Sequence, residues 1–226
     1  MHIEHLTLHA CDLSAQRTFY AGTLGLVVLE DTPERLTVRA GTTLLTFAAD
    51  PTHDAFSHVA FDIPRNRADE AKRWLESRVP VLRDSTGRDR VLPSDRWNTT
   101  NVYFDDPAGN LLEFIARHDL PNDHTEPFGP ESVLHVSELG LVVPDVTLAV
   151  HDLGERFGLR PFNGQSPTFT AIGEHDGMLI VVPHGRGWIP VARPALPAPF
   201  ELAFRTGTQH QVLRSEVLPR PLRSLP

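Results

Sequence analysis

Two histidines stand at matching places in two similar stretches. Ile3-Glu4-His5-Leu6-Thr7-Leu8-His9-Ala10 and Phe56-Ser57-His58-Val59-Ala60-Phe61 overlay at an offset of 53 residues, which superposes His5 on His58. Both alternate as half-buried strands do, so two copies packed symmetrically would bring the imidazoles together. Glu113 completes the set. It follows the turn Asp106-Pro107-Ala108-Gly109-Asn110 by three residues and is flanked by Leu111, Leu112, Phe114 and Ile115. An isolated carboxylate in such a strand is costly to bury, and coordinating a cation offsets that cost. Two imidazoles and one carboxylate leave positions open on an octahedral divalent ion for substrate together with oxygen or water. Spacing alone also admits a second reading, in which each histidine is half-buried against a carbonyl and the glutamate faces solvent.

The elements that would position these residues recur along the chain. After the first strand, Asp12 opens a helical run through Thr23, and Leu36–Val38 and Thr42–Phe47 read as two further strands. The second copy has a helix from about Arg67 to Ser77, a strand near Val102–Phe104, the turn at Asp106–Asn110 and a last strand at Leu111–Ala116. An offset of 133 lays residues 3–26 on 136–159, matching Leu6 with Leu139, Leu8 with Leu141, Asp12 with Asp145 and Gly25 with Gly158, and Phe169–Ile172 and Met178–Val182 follow as paired strands. An offset of 143 sets Glu201-Leu202-Ala203-Phe204 on His58–Phe61 and leaves room for one strand and a helix.

The boundary between the two pairs of units is marked by proline, with 6 of the 20 in residues 1–118 and 14 after them. This predicts a domain at 1–118, a linker at 119–132 and a second, truncated domain at 133–226. Pro183–Pro199 has neither helical nor strand period and reads as a loop crossing the second domain. The length of 226 residues suits one large or two small domains, and 40% apolar with 22% charged residues suffices for a buried core. The net charge of −8 is spread over both halves, which leaves no basic face for nucleic acid or an anionic membrane. No apolar run approaches the roughly 20 residues of a membrane span, and Met1–His5 lacks the pattern of an export signal. Cys11 is the one cysteine, so disulfides and thiolate clusters are excluded within the chain, and a reducing, cytoplasmic setting is expected. Cys11 itself reads as a small buried residue ahead of a helix.

The segments IEHLTLHACDLSAQRTFYAGTLGL, FSHVAFDIP and NVYFDDPAGNLLEFIAR resemble the vicinal oxygen chelate superfamily, which includes glyoxalase I, extradiol ring-cleavage dioxygenases, fosfomycin-resistance thiol transferases and bleomycin-binding proteins. The resemblance covers residues 1–118 and implies an α+β fold in which tandem βαβββ modules form a cupped mixed sheet around a metal. Carried over position by position, the ligands fall on His5, His58 and Glu113. Fe(II) or Mn(II) is expected, and Zn, Ni and Co accept the same donors. Thr7 and His9 share the His5 face of their strand, with Thr7 placed to touch a metal-bound substrate and His9 nearer the rim. Asn101 and Tyr103 alternate on one face of the strand before the turn, where the phenol suits proton transfer. Trp97 is expected in the pocket wall.

The third and fourth units depart from the pattern. Glu138 and Glu201 stand where the histidines should, and the fourth unit lacks its closing strand and glutamate, so the domain at 133–226 is expected to be a degenerate partner with no complete site. Its open sheet edges predict a homodimer, or cover by the Pro183–Pro199 loop. The expected activity is that of a ring-cleaving dioxygenase acting on a small molecule with adjacent oxygens. A glyoxalase-type isomerase or lyase, which often uses two carboxylates, and a fosfomycin-type thiol transferase are the enzymatic alternatives. A bleomycin-type binding protein without catalysis is the alternative outside enzymes.

Overall fold

The computed structural model describes residues 1–53 and 55–215. The first unit contains β1 (His2–Ala10), α1 (Leu13–Arg17), β2 (Val27–Asp31), β3 (Arg35–Ala40) and β4 (Thr43–Ala49). Asp12 caps α1 by accepting from the Ala15 N–H at 2.9 Å, and a π-helical turn carries the helix on to Thr23. The second unit contains β5 (His58–Ile63), α2 (Ala68–Glu76), β6 (Thr99–Asp105) and β7 (Leu111–Arg117). Where a further strand of this unit would run before β6, only single bridges from Val81 to Phe104 and Val91 to Asn101 remain. The third unit is complete, with β8 (His135–Val143), α3 (Val146–Phe157), β9 (Pro161–Ser166), β10 (Phe169–Glu174) and β11 (Gly177–Pro183). A short hairpin, β12 (Gly187–Trp188) and β13 (Arg193–Pro194), precedes β14 (Glu201–Thr206) and β15 (Gln209–Arg214). The helix expected in the fourth unit is therefore replaced, within the described residues, by a tight antiparallel hairpin pairing Thr206 with Gln209. Residues 216–226 of the expected second domain lie outside the described residues.

The units pair in an order that sequence did not indicate. One sheet runs β15-β14-β1-β4-β3-β2 and the other β6-β7-β5-β8-β11-β10-β9. The first unit thus joins the fourth and the second joins the third, each pair through antiparallel first strands. The division into a domain at 1–118 and another at 133–226 does not describe these sheets, since each draws strands from both sides of the linker. The mixed α+β architecture of repeated modules is as expected. Phe47, Phe61, Phe104 and Phe114 are fully buried in one core cluster that both sheets share, and burying such a side chain is worth about 1.5–3 kcal/mol. Among the described residues no helix is long and apolar enough to cross a membrane.

Candidate metal centre

The turn at Asp106–Asn110 organises the local structure. Asp106 is buried and accepts from the Ala108 and Asn110 backbone N–H groups at 2.9 Å, from Asn110 Nδ2 at 2.8 Å, from the Tyr20 hydroxyl at 2.9 Å and from Gln16 Nε2 at 3.1 Å. Gly109 takes a φ of 79°, a conformation that a side chain disfavours. Asn110 Oδ1 in turn accepts from the Ser57 N–H at 2.8 Å, which fixes β5 beside β7 in parallel register with His58 opposite Leu111 and Ala60 opposite Glu113. The motif around Gly109 therefore does more than close a hairpin, because it sets His58 and Glu113 on adjacent strands.

The third member comes from across the linker. Antiparallel pairing of β5 and β8 places Glu138 opposite Ala60, next to Glu113. His58, Glu113 and Glu138 are all buried, and one ligand atom from each lies within 4.8 Å of the others. His58 Nε2 is 3.5 Å from Glu113 Oε2 and 3.9 Å from Glu138 Oε2. The outward atom of each residue is already engaged. His58 Nδ1 donates to the Leu111 carbonyl at 3.2 Å, which leaves Nε2 as the lone-pair nitrogen facing the carboxylates. Glu113 Oε1 accepts from Asn101, and Glu138 Oε1 accepts from Arg117 Nη2 at 2.6 Å. Such outer partners orient ligands and fix the tautomer of a ligating histidine.

Electrostatics agrees with a cation at this point. Burial, and then the charge of Glu138, pushes Glu113 up to about 8, because two carboxylates this close in a desolvated site cannot both ionise unaided. Burial lowers His58, favouring the neutral ring that ligates. The residues present fit a divalent ion with one nitrogen and two oxygen donors.

A cavity of about 170 Å³ opens onto the three residues, walled by Trp97, Tyr103, Phe169, Ile180 and Trp188. The unravelled strand of the second unit contributes Trp97, which packs 5.5 Å from Phe162 and 6.4 Å from Phe169 between ring centroids. Trp188 comes from the β12–β13 hairpin and lies 4.9 Å from the His58 ring. A Cβ on Gly140 would meet that indole at 2.9 Å, so only glycine leaves room for it. Arg193 holds the hairpin down, donating to both oxygens of Asp105 at 2.8 and 2.9 Å and to the Gly109 carbonyl at 2.7 Å. The Pro183–Pro199 loop is thus a roof over the site and pairs with no edge of either large sheet.

Of the residues expected here, His58, Glu113, Asn101, Tyr103 and Trp97 are brought together around one cavity. His5, Thr7 and His9 are not, because β1 lies in the other sheet. His5 Nε2 bonds Thr46 Oγ1 at 2.8 Å instead. Thr7 pairs with Glu201 and Thr46, and the His9 ring lies tilted against that of His53 with centroids 5.9 Å apart. Glu138 lies beside His58 and Glu113 where His5 is expected. Its signal was present in the offset of 133, which puts it at the histidine position, but a glutamate there read as a loss. Thr46 occupies in the first unit the register position that Glu113 holds in the second, so the β1–β14 side has His5 and Glu201 without a matching carboxylate. Cys11 is exposed, against the expectation of a buried residue.

A family model described as the Glyoxalase/Bleomycin resistance protein/Dioxygenase superfamily matches residues 2–114. Among solved structures, one from Bacillus subtilis named "putative dioxygenase" is 21% identical with a TM-score of 0.59, covering 80% of this chain and 63% of its own. Glyoxalase I from Zea mays is 16% identical with a TM-score of 0.53, covering 80% of this chain and 66% of its own. The V278E mutant of that maize enzyme gives a TM-score of 0.55 at 16% identity over 86% of this chain and 70% of its own. The chain therefore spans less than two thirds of the first two, and at these identities the likeness is one of fold. No curated protein matches.

Proposed function

Because the chain belongs to the Glyoxalase/Bleomycin resistance protein/Dioxygenase superfamily, we propose that it is a divalent-metal-dependent enzyme acting on a small molecule with adjacent oxygen atoms, by proton transfer next to a carbonyl in the manner of a glyoxalase-type isomerase or lyase. The observation that carries this reading is the donor set: one imidazole and two carboxylates, each held by an outer partner with its other atom turned inward. The expectation of ring cleavage rested on two imidazoles and one carboxylate, and the assembled set differs from it by Glu138 in place of His5.

His58, Glu113 and Glu138 would hold the ion, which when bound polarises substrate oxygens as a Lewis acid. Tyr103 stays protonated, since burial and then the Glu113 charge raise its phenol, and its O–H donates a hydrogen bond to an oxygen that gains charge. Asn101 fixes Glu113, Arg117 fixes Glu138, and the aromatic walls exclude water. Ring cleavage is retained as a second reading because the cavity walls are aromatic. Mn(II) and Fe(II) suit the mixed donors, as do Zn, Ni and Co. Exposed Val27 and Leu29 on edge strand β2 and Val212 on edge strand β15 support a homodimer, which a monomer mass in light scattering would overturn.

The test is elemental analysis of tag-free protein beside the His58→Ala variant, followed by turnover assays. Near-stoichiometric metal in the wild type and its loss in the variant are expected. A wild type that takes no metal after reconstitution overturns the enzyme reading in favour of a binding protein. Oxygen uptake on catechols would decide for ring cleavage, and oxygen-independent turnover of a hydroxy-carbonyl compound for the isomerase or lyase.

A further inference from the structure

Among the described residues the cavity is lined by one arginine or lysine, and no carboxylate pairs with it. Arg186 lines the same space as His58, Glu113 and Glu138. Its guanidinium carbon stands 4.9 Å from the Phe169 ring centroid and 5.8 Å from that of Trp188. Its hydrogen bond within the described residues is a long one, from Nη1 to the Gly187 carbonyl at 3.3 Å. No carboxylate among the described residues lies within 4.0 Å of it, whereas Arg117 and Arg193 each have one. A guanidinium packed over aromatic rings keeps the N–H groups of its own plane open to a partner, and apart from the long bond to Gly187 these can receive a carboxylate in two parallel hydrogen bonds.

Size and charge restrict what can occupy the remaining volume. A cavity of about 150 Å³ suffices for benzene, and the space here is about 170 Å³ with mainly apolar and aromatic walls. A divalent ion and ionised Glu113 and Glu138 would sum to no net charge, and the buried Arg117 beside Glu138 has Asp62 3.5 Å away as its own countercharge, so Arg186 is the positive charge left over in the cavity. A neutral ligand would leave that charge uncompensated in a partly desolvated site.

We propose that the substrate is a small planar acid, a single ring or a group of similar size bearing a carboxylate, and that Arg186 receives the carboxylate while the ring stacks among Trp97, Phe169 and Trp188. This rests on the proposed metal-centred function and adds the substrate class to it. The carboxylate end is fixed at the roof hairpin, so the opposite end of the molecule faces His58, Glu113 and Glu138.

Calorimetric titration of the metal-loaded protein with benzoate and with benzamide, which share ring and shape and differ in charge, tests it. Benzoate is expected to bind roughly tenfold to a hundredfold more tightly, the usual loss when a charged partner goes unmade. In Arg186→Gln that preference should vanish with benzamide binding and metal content unchanged, and Arg186→Lys should restore part of it. Equal binding of the two probes, no binding of either, or a preference that survives in Arg186→Gln because the carboxylate sits on the metal, each overturns the proposal. The same titration on metal-free protein separates the two readings. An Arg186-dependent preference there, in a chain that never takes metal, sinks the metal centre and leaves the acid site standing.

Discussion

At the scale of single residues, the centre is governed by how a buried negative pair is neutralised. In the metal-free protein the folded state holds a proton on Glu113 that the unfolded chain has released, so it binds more protons than the unfolded state between the ordinary carboxylate value and about 8. Stability of the metal-free form must therefore fall as pH rises through that window. A cation reverses the sign by displacing that proton, so its affinity rises with pH, by about tenfold per unit for one proton released. Thermal shifts on adding Mn(II) or Zn(II) should grow from about pH 6 to about pH 8, with proton release visible to an indicator dye. A shift independent of pH would show that the carboxylates do not share a proton. His58 and Glu113 were legible because their motif is local. Glu138 was not, because a residue type that departs from a repeat looks like decay until its neighbours are known.

Among the elements, the β12–β13 hairpin was the least legible. Fourteen of the 20 prolines fall after residue 118, and Pro183–Pro199 shows no period, yet this stretch supplies the indole that covers His58 and is held by Arg193. Arg193 and Asp105 keep 27% and 33% of their side-chain surfaces exposed, so the pair should contribute modestly. Arg193→Ala is expected to cost about 1 kcal/mol, a fall in Tm of about 2–4 °C, together with faster hydrogen exchange across residues 184–195 and weaker ligand binding. A variant with unchanged exchange in the hairpin would mean that Arg193 is not what seats the roof. The regular elements were found close to their places: Asp12 caps where its side chain predicts, and β7 follows the turn after Asn110. Periodicity and capping are properties of neighbouring residues, which is why they survive without a structure.

For the whole molecule, the pairing of first with fourth and second with third units makes the two halves interdependent. A fragment of residues 1–118 would carry β1 without β14 and β5 without β8, exposing both seams. It should fail to unfold cooperatively on its own, and mixing it with residues 119–226 should restore a single transition and metal binding. A fragment 1–118 that folds and takes metal through His5, His58 and Glu113 would overturn this account. The repeats, the strands and helices of the first and third units, the turn at Asp106–Asn110 and two of the three candidate donors are determined by sequence alone, since each depends on residues near one another along the chain. Which first strands pair depends on contacts far apart in sequence, such as Arg117 with Glu138 and Thr43 with Val136. Two similar strands offer nearly the same edge to several partners. The choice is made by the packing of the whole, and with it whether His5 or Glu138 stands beside His58 and Glu113.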